Sequence, residues 1–392
     1  MSWTPATCDN VAMRVAFALG GTDYGRSGIG TYVRSVAPRM IAALNAAGGQ
    51  LVALGDRREL DVYASMLTGA ELVELPTFLS KPAFNAAFYL LGSGEQARRA
   101  KADVLLLPAA NRRTAALSSV PTVAVVHDLG QLHVEGKYDA LRMAYLKYIV
   151  IGALKRADQL VAISQSTAKD LRDVMGSDGP PITVVPNGVD AARFLPPTEN
   201  DPRVAAARAS IGVDGPYLLY SARLEHPGKN HLRLIEAFAK SKAARGHTLV
   251  LCGGDWGARM LIDETIRKCK LGDRVRITGY VDEAILPGLF AGAEAVAMVG
   301  LAEGFGLPAL ESLAAGRPVV TATTGALPEV VGDLGAMCDP YNVDSIASAI
   351  DRSLTDRAYR ARALNEGPSH AASRDWSKTA HGLIDVCRRA LR

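Results

Sequence analysis

A chain of 392 residues with 48% apolar and 21% charged residues is long enough for two domains and ordinary in composition, which excludes disordered and fibrous classes. A net charge of +4 is too small to argue for nucleic-acid binding, for which a concentrated basic face is expected. Five cysteines, Cys8, Cys252, Cys269, Cys338 and Cys387, form no C-x-x-C pair and read as reduced thiols of a cytoplasmic protein, neither a disulfide scaffold nor a zinc site.

Met1 to Asn10 is polar and lacks the basic and apolar regions of a signal peptide, and no apolar run approaches the ~18 residues of a membrane span. Short apolar runs then alternate with amphipathic stretches. They predict strands at Val15–Leu19, Leu51–Gly55, Val104–Leu107, Val123–Val126, Leu160–Ile163 and Ile182–Val185, and again at Tyr217–Tyr220, Leu249–Cys252, Val275–Thr278, Ala295–Val299 and Val319–Thr321. Continuous apolar strands are buried on both faces, so the fold class is α/β with parallel sheets sandwiched by helices. One such helix, predicted over His231–Lys242, carries Leu232, Ile235, Phe238 and Ala239 on one side. The proline-rich stretch Leu195–Pro202 reads as a linker. The expected domains are 1–194, a linker over 195–203, 204–372, and a final helix over 373–392 that crosses back to the first domain. Ligands of open α/β sheets bind beyond the strand C-termini, so the chemistry is expected in the loops that follow strands.

Two such loops stand out. In Glu303-Gly-Phe-Gly-Leu-Pro-Ala-Leu-Glu311, Pro308 suits a first helical turn, and Gly316 suits the helix exit. Gly304 and Gly306 precede that helix, where small residues let backbone amides approach a diphosphate and the dipole favours it. Glu303 and Glu311 can accept hydrogen bonds from sugar hydroxyls, or simply be solvated. The second loop places Arg223 and Lys229 on either side of a Pro-Gly turn after a strand. A guanidinium fork and an ammonium suit a diphosphate leaving group, although surface cations beside turns are also common.

Together these residues resemble the E-x7-E motif and the Arg…Lys spacing of the retaining family 4 glycosyltransferases, which have the GT-B fold. Val184-Val-Pro-Asn-Gly-Val-Asp190, Ala162-Ile-Ser-Gln-Ser-Thr167 and Gly325-Ala-Leu-Pro-Glu-Val-Val331 resemble the same family, so the likeness covers most of the chain. It implies two doubly wound Rossmann-like domains with a deep interdomain cleft. It also implies that Arg223 and Lys229 hold the diphosphate with the amides of Gly304, Phe305, Gly306 and Leu307. Glu311 would take the ribose, Glu303 the transferred sugar, and Tyr280 and Val281 the nucleobase. Asp375-Trp376-Ser377 resembles the start of the last, crossing helix.

On the acceptor side, the glycine loop Gly20–Gly30 opens into a helix, and Gly28 and Gly30 are the expected ligand contacts. The pair His127-Asp128 follows a strand and resembles the His-Asp-Leu of bacterial mannosyl- and rhamnosyltransferases of polysaccharide assembly. This favours GDP-mannose as donor and a glycan or lipid-linked saccharide as acceptor, with rhamnosyl or UDP-linked donors next. No D-x-D triplet occurs, so no metal and no cofactor beyond the sugar donor is expected. The family implies retention by attack on the face the nucleotide leaves, with a donor phosphate oxygen taking the proton and no protein nucleophile.

The stretch Phe78–Gly92, with Phe84, Phe88 and Leu91 on one face and Arg98, Arg99, Lys101, Arg112 and Arg113 following, reads either as a peripheral membrane contact or as core packing beside a solvated basic face. Three rivals remain. A nicotinamide-dependent oxidoreductase would use Gly20-Gly21 and Asp56 but lacks the third glycine of its fingerprint. A nucleotide-sugar epimerase of GT-B architecture does not need Glu303…Glu311. A non-catalytic relative does not need the full set Arg223, Lys229, Glu303 and Glu311.

Overall fold

The computed structural model describes residues 12–130 and 143–392. Cys8 and the stretch Met1 to Asn10, read above as a free thiol and a segment without a leader, lie outside them. The chain divides into two compact units. The first runs to Leu129, resumes through Gly188 and includes Trp376–Arg392; the second is Val189–Asp375.

The first unit holds a seven-stranded sheet. Its strands are β1 (Arg14–Ala18), β2 (Gln50–Gly55), β3 (Glu71–Glu74), β4 (Val104–Leu107), β5 (Thr122–Val126), β6 (Gln159–Ala162) and β7 (Ile182–Val184). They lie in the order β3-β2-β1-β4-β5-β6-β7, every pair parallel. The second unit holds β8 (Tyr217–Ser221), β9 (Thr248–Cys252), β10 (Val275–Gly279), β11 (Ala295–Met298), β12 (Val319–Ala322) and β13 (Gly335–Cys338). Their order is β10-β9-β8-β11-β12-β13, again all parallel. Each unit is a doubly wound, Rossmann-like sheet. In each the winding reverses once, between β1 and β4 and between β8 and β11, and loops that leave such a reversal diverge and make room for a ligand.

Every expected strand is present, displaced by at most one residue at an end. Two strands were not expected, β3 and β13. Both are sheet edges. Glu71-Leu-Val-Glu has only two apolar residues between glutamates and alternates in burial because one face is wet, and Gly335-Ala-Met-Cys has no β-branched residue.

The helix after β8 ends at Lys240, not Lys242, and buries Leu234, Ile235, Ala237 and Phe238. Ala239, expected on that face, is exposed. The expected linker is not a loose connection either. Phe194 is buried edge-on against Phe290 at 5.4 Å, and Asp201 caps the helix Pro202–Ile211, its carboxyl held down to about 2 by Arg203. The first unit therefore gives way to the second at Gly188/Val189, ahead of the expected 194.

The last helix, Trp376–Ala390, packs within the first unit. There Tyr32, from the helix Gly28–Ala46, meets the Trp376 ring edge-on at 5.9 Å and the His127 ring at 4.8 Å. Tyr32 is fully buried, and its hydroxyl has no hydrogen-bond partner among the described residues. Trp376→Ala should cost about 3–5 kcal/mol, seen as a lower thermal midpoint. Tyr32→Phe removes only the unpaired hydroxyl and should leave that midpoint unchanged or raise it. A large loss from Tyr32→Phe would mean that the hydroxyl has a partner after all.

Candidate functional site

The second unit's site is assembled at its winding reversal. After β8 the chain passes Arg223 and Lys229 before the next helix; after β11 it passes Gly300 and Glu303. Because β8 and β11 are neighbours, these loops lie together across 74 residues of sequence. The Leu301 amide donates to the Gly228 carbonyl at 2.8 Å. Asn230, buried and left-handed at φ 58°, donates its side-chain amide to the carbonyls of Val299 at 3.0 Å and Pro340 at 2.7 Å. Lys229 is thereby fixed so that its Nζ lies 2.7 and 2.9 Å from the two carboxylate oxygens of Glu303. With side chains 20% and 10% exposed, this pair is shielded from the screening that weakens surface bridges. Arg223 grips Glu225 through Nε at 2.7 Å and Nη2 at 2.6 Å.

Glu303 is seated by glycines. A Cβ on Gly300 would stand 2.5 Å from Glu303 Oε1, and one on Gly325 2.5 Å from the Glu303 carbonyl oxygen. The Ala326 amide donates to that carbonyl at 2.9 Å, so the Gly325-Ala-Leu-Pro motif acts by holding the Glu303 backbone. Gly306, at φ 89°, is the N-cap of the helix Leu307–Ala314, with Pro308 in its first turn. Phe305 turns into the core, while Gly304 and Leu307 stay half-buried. Pro308 has no amide hydrogen and the Ala309 amide donates to the Gly306 carbonyl at 3.0 Å, so an anion at this helix start would meet the amides of Gly306 and Leu307.

One turn further in, Glu311 is partly exposed, yet burial of its carboxyl pushes it up to about 7, with Arg193 pulling it down and Glu283 pushing it further up. Arg193 in turn donates to the Glu283 carbonyl at 2.8 Å. Neither residue stands out in the sequence, although Arg193 lies just beyond the Asn-Gly-Val-Asp190 motif. Tyr280, straight after β10, is 67% exposed, and Val281 is half-buried. Among the described residues no group of three or more His, Cys, Asp or Glu side chains could hold a metal ion.

In the first unit the two expected glycines part company. Gly28 is exposed with open space around it. Gly30 is buried, and a Cβ there would stand 2.5 Å from the Gly25 backbone, so its lack of a side chain serves chain packing. Arg112 donates to the Gly21 carbonyl at 3.2 Å and pairs with Asp23, while Arg113 donates to Asn85. Arg112 is thus drawn to the loop after β1, whereas Arg113 is tied to the helix Pro82–Leu91 next to Phe84. Phe88 packs against the core and not with Phe84 on an outer face.

Asp56 is the N-cap of the helix Arg57–Val62 in a capping box with Glu59, which gives its Oδ1 a structural role. His127 is 6% exposed, and its Nε2 lies 2.7 Å from the Pro108 carbonyl oxygen. Burial pushes it down to about 4, against the pull of that bond and of Asp128. The ring is therefore neutral at pH 7, with Nε2 the donor and Nδ1 an acceptor. Ser164 caps the helix Gln165–Met175 and bonds Thr167, whose hydroxyl donates to the His127 carbonyl at 3.3 Å. The Ser-Gln-Ser-Thr motif thus supports His127.

Residues 26–193 match the family "Glycosyltransferase Family 4", and residues 205–370 match "Glycosyl transferases group 1". The chain is 32% identical over 284 residues to a D-inositol 3-phosphate glycosyltransferase of Salinispora tropica, covering 68% of this chain and 58% of that one. It is 29% identical over 270 residues to a glycogen synthase of Mycobacterium tuberculosis, covering 68% and 63%. The chain thus spans less than two thirds of the length of these curated relatives. HepE of Anabaena, solved with UDP and glucose, superposes at a TM-score of 0.73 with 19% identity, covering 95% of this chain and 99% of that one. WaaG, a glycosyltransferase of lipopolysaccharide biosynthesis, superposes at 0.70 with 16% identity, covering 95% and 99%. The chain joins a glycosyltransferase family 4 domain to a glycosyl transferases group 1 domain, each a Rossmann-like half of the GT-B fold.

Proposed function

We propose that the protein is a metal-independent, retaining hexosyltransferase that moves a sugar from a nucleoside-diphosphate donor to a glycan or lipid-linked saccharide. The observation that carries this reading is the meeting of Lys229 and Glu303 at the β8/β11 reversal, with Arg223 in the same loop. An ammonium, a guanidinium and the amides before a helix can take the growing charge of a departing diphosphate without reorganising. Glu303, once Lys229 turns to phosphate, accepts from sugar hydroxyls, and Glu311 accepts from the ribose. Tyr280 and Val281 take the base. On the acceptor side, neutral His127 has its Nε2–H committed to Pro108 and can only accept a hydrogen bond, at Nδ1, and Asp128 and Gly28 accompany it. This fits a route in which a donor phosphate oxygen takes the acceptor proton.

The donor is the open part of the proposal. GDP-mannose rests on His127-Asp128-Leu129 alone. HepE is a structure with UDP-glucose as well as UDP, and this favours a UDP-hexose. Thermal shift with UDP-, GDP- and dTDP-sugars decides between them, because a specific ligand raises apparent stability by mass action.

Among the described residues no helix is long and apolar enough to cross a membrane. A cytoplasmic protein in peripheral contact with the membrane fits the surface of the first unit. Phe78, Phe84, Leu91 and Leu117 are each more than half exposed, and Phe78 and Phe84 meet edge-on at 6.2 Å. Sedimentation with anionic vesicles should be lost in Phe78→Ser/Phe84→Ser. Equal sedimentation of both proteins would remove the membrane from the reading.

Arg223→Ala and Lys229→Ala should each lower kcat roughly 10²–10³-fold, the scale for losing one preorganised donor. Lys229→Ala also leaves the Glu303 carboxylate unpaired, so circular dichroism must first show a folded protein. The wild type should turn over equally in EDTA; a strict need for a divalent ion would replace the metal-free route. Near-normal turnover in both folded variants would place the diphosphate elsewhere.

Glu311 adds a pH signature. Its carboxyl, raised to about 7, must be ionised to accept two ribose hydroxyls, so nucleotide binding at pH 6 expels a proton. Below pH 7 the Kd for UDP or GDP should weaken by up to about tenfold per pH unit, and Glu311→Gln should bind weakly with no such slope. Calorimetric titration at pH 6 and 8 measures this, and an unchanged slope in Glu311→Gln would free Glu311 of the role.

A further inference from the structure

Beyond the binding set above, an exposed tryptophan stands over the arginine assigned to the diphosphate. As β9 ends, Gly253 turns the chain across the end of β8. A Cβ there would stand 2.2 Å from the Ala222 carbonyl oxygen and 2.9 Å from the Arg223 amide nitrogen, so only glycine permits the crossing. The backbone then runs beside Arg223. Leu224 donates to the Gly254 carbonyl at 2.8 Å, and Trp256 donates to the Leu224 carbonyl at 2.9 Å. A parallel bridge joins Leu224 to Asp255. The Asp255 carboxylate accepts from the amides of Gly257, Ala258 and Arg259 at 2.9, 3.1 and 3.2 Å, which fixes the start of the following helix.

Trp256 is thereby held on the surface, 58% exposed, where burial gives it little reason to be. Its ring centroid lies 4.7 Å from the Arg223 Cζ. Glu225 meanwhile grips one edge of the same guanidinium. A carboxylate on the edge and an indole on the face restrain the guanidinium in two directions at once. A cation over an indole is attracted by the ring quadrupole, and more strongly as water leaves.

We propose that Trp256 is a positioning residue that holds the Arg223 guanidinium ready for the diphosphate and registers its arrival. The proposal rests on the reading of Arg223 as a diphosphate ligand. A restrained arginine need not reorganise as charge builds on the leaving group, so the effect belongs in kcat more than in the donor KM. The indole, in contact with the cation, changes its emission when the diphosphate takes up that charge.

The test uses the full chain and four variants: Trp256→Ala, Trp256→Phe, Arg223→Ala and Arg223→Ala/Trp256→Ala. Trp256→Ala should lower kcat about tenfold with donor KM changed by no more than about threefold, and Trp256→Phe should recover most of the loss. In the Arg223→Ala background, Trp256→Ala should cost nothing further. Titration with pyrophosphate should change wild-type emission, and that change should vanish in Trp256→Phe, in which Trp3 and Trp376 remain, and in Arg223→Ala.

Additive losses in the double variant, an emission change that survives Arg223→Ala, or a loss confined to the acceptor KM would each overturn the role of Trp256. The Arg223→Ala arm separates the two levels. Normal turnover and pyrophosphate binding there overturn the diphosphate reading and the inference with it. A defective Arg223→Ala with additive Trp256→Ala overturns the inference alone.

Discussion

Strand β11 lying against β8 is the constraint on which the second unit's site depends. In a parallel pair both chains leave at the same edge, so the loops after β8 and β11 must meet whatever their separation in sequence. The register sets Val296 opposite Leu219, and the side chain of Asn230 then fastens the loop after β8 to Val299 and Pro340. An unpaired buried carbonyl costs about 1–3 kcal/mol, so two such bonds from one amide resist any shift of the loops. Lys229 and Glu303 owe their contact to this arrangement and not to their own attraction.

The first unit obeys the same rule with different contents. β1 beside β4 brings the loop holding Gly21 and Asp23 to Arg112, and β5 beyond them sets His127 against the Pro108 carbonyl. Several glycines answer to the packing demands of such meetings. Gly30 makes room for Gly25, Gly325 for Glu303, and Gly253 for the end of β8. Gly28 alone of the two expected contacts is left with open space.

What the sequence could tell divides along the line between local and long-range order. Strands buried on both faces are continuous apolar runs, and each was legible to within a residue. The edges β3 and β13 were not, because one wet face or a run of small residues removes that signal. Pro308 and Gly316 marked the bounds of their helix by local backbone chemistry. Asn230, Arg193 and Trp256 could not be read from their neighbours. Each works by meeting a residue far along the chain, and only the strand order decides which. The membrane stretch shows the same limit. Its helical spacing set Phe84 and Phe88 on one face, but the core takes Phe88, and the loop after β1 takes Arg112.

The charges of the second unit's site are balanced before any ligand arrives. Lys229 is matched by Glu303 and Arg223 by Glu225, each at close range and each partly shielded from water. A diphosphate must compete with these carboxylates, so they weaken its ground-state binding. They also keep both cations ordered, so that little reorganisation is left for the moment when charge shifts onto the departing nucleotide. An interaction that grows between ground state and transition state raises kcat, whereas one equal in both raises only affinity. Pairing each cation with a carboxylate trims the equal part and leaves the growing part. On this argument the acidic partners are as necessary to turnover as the cations they hold.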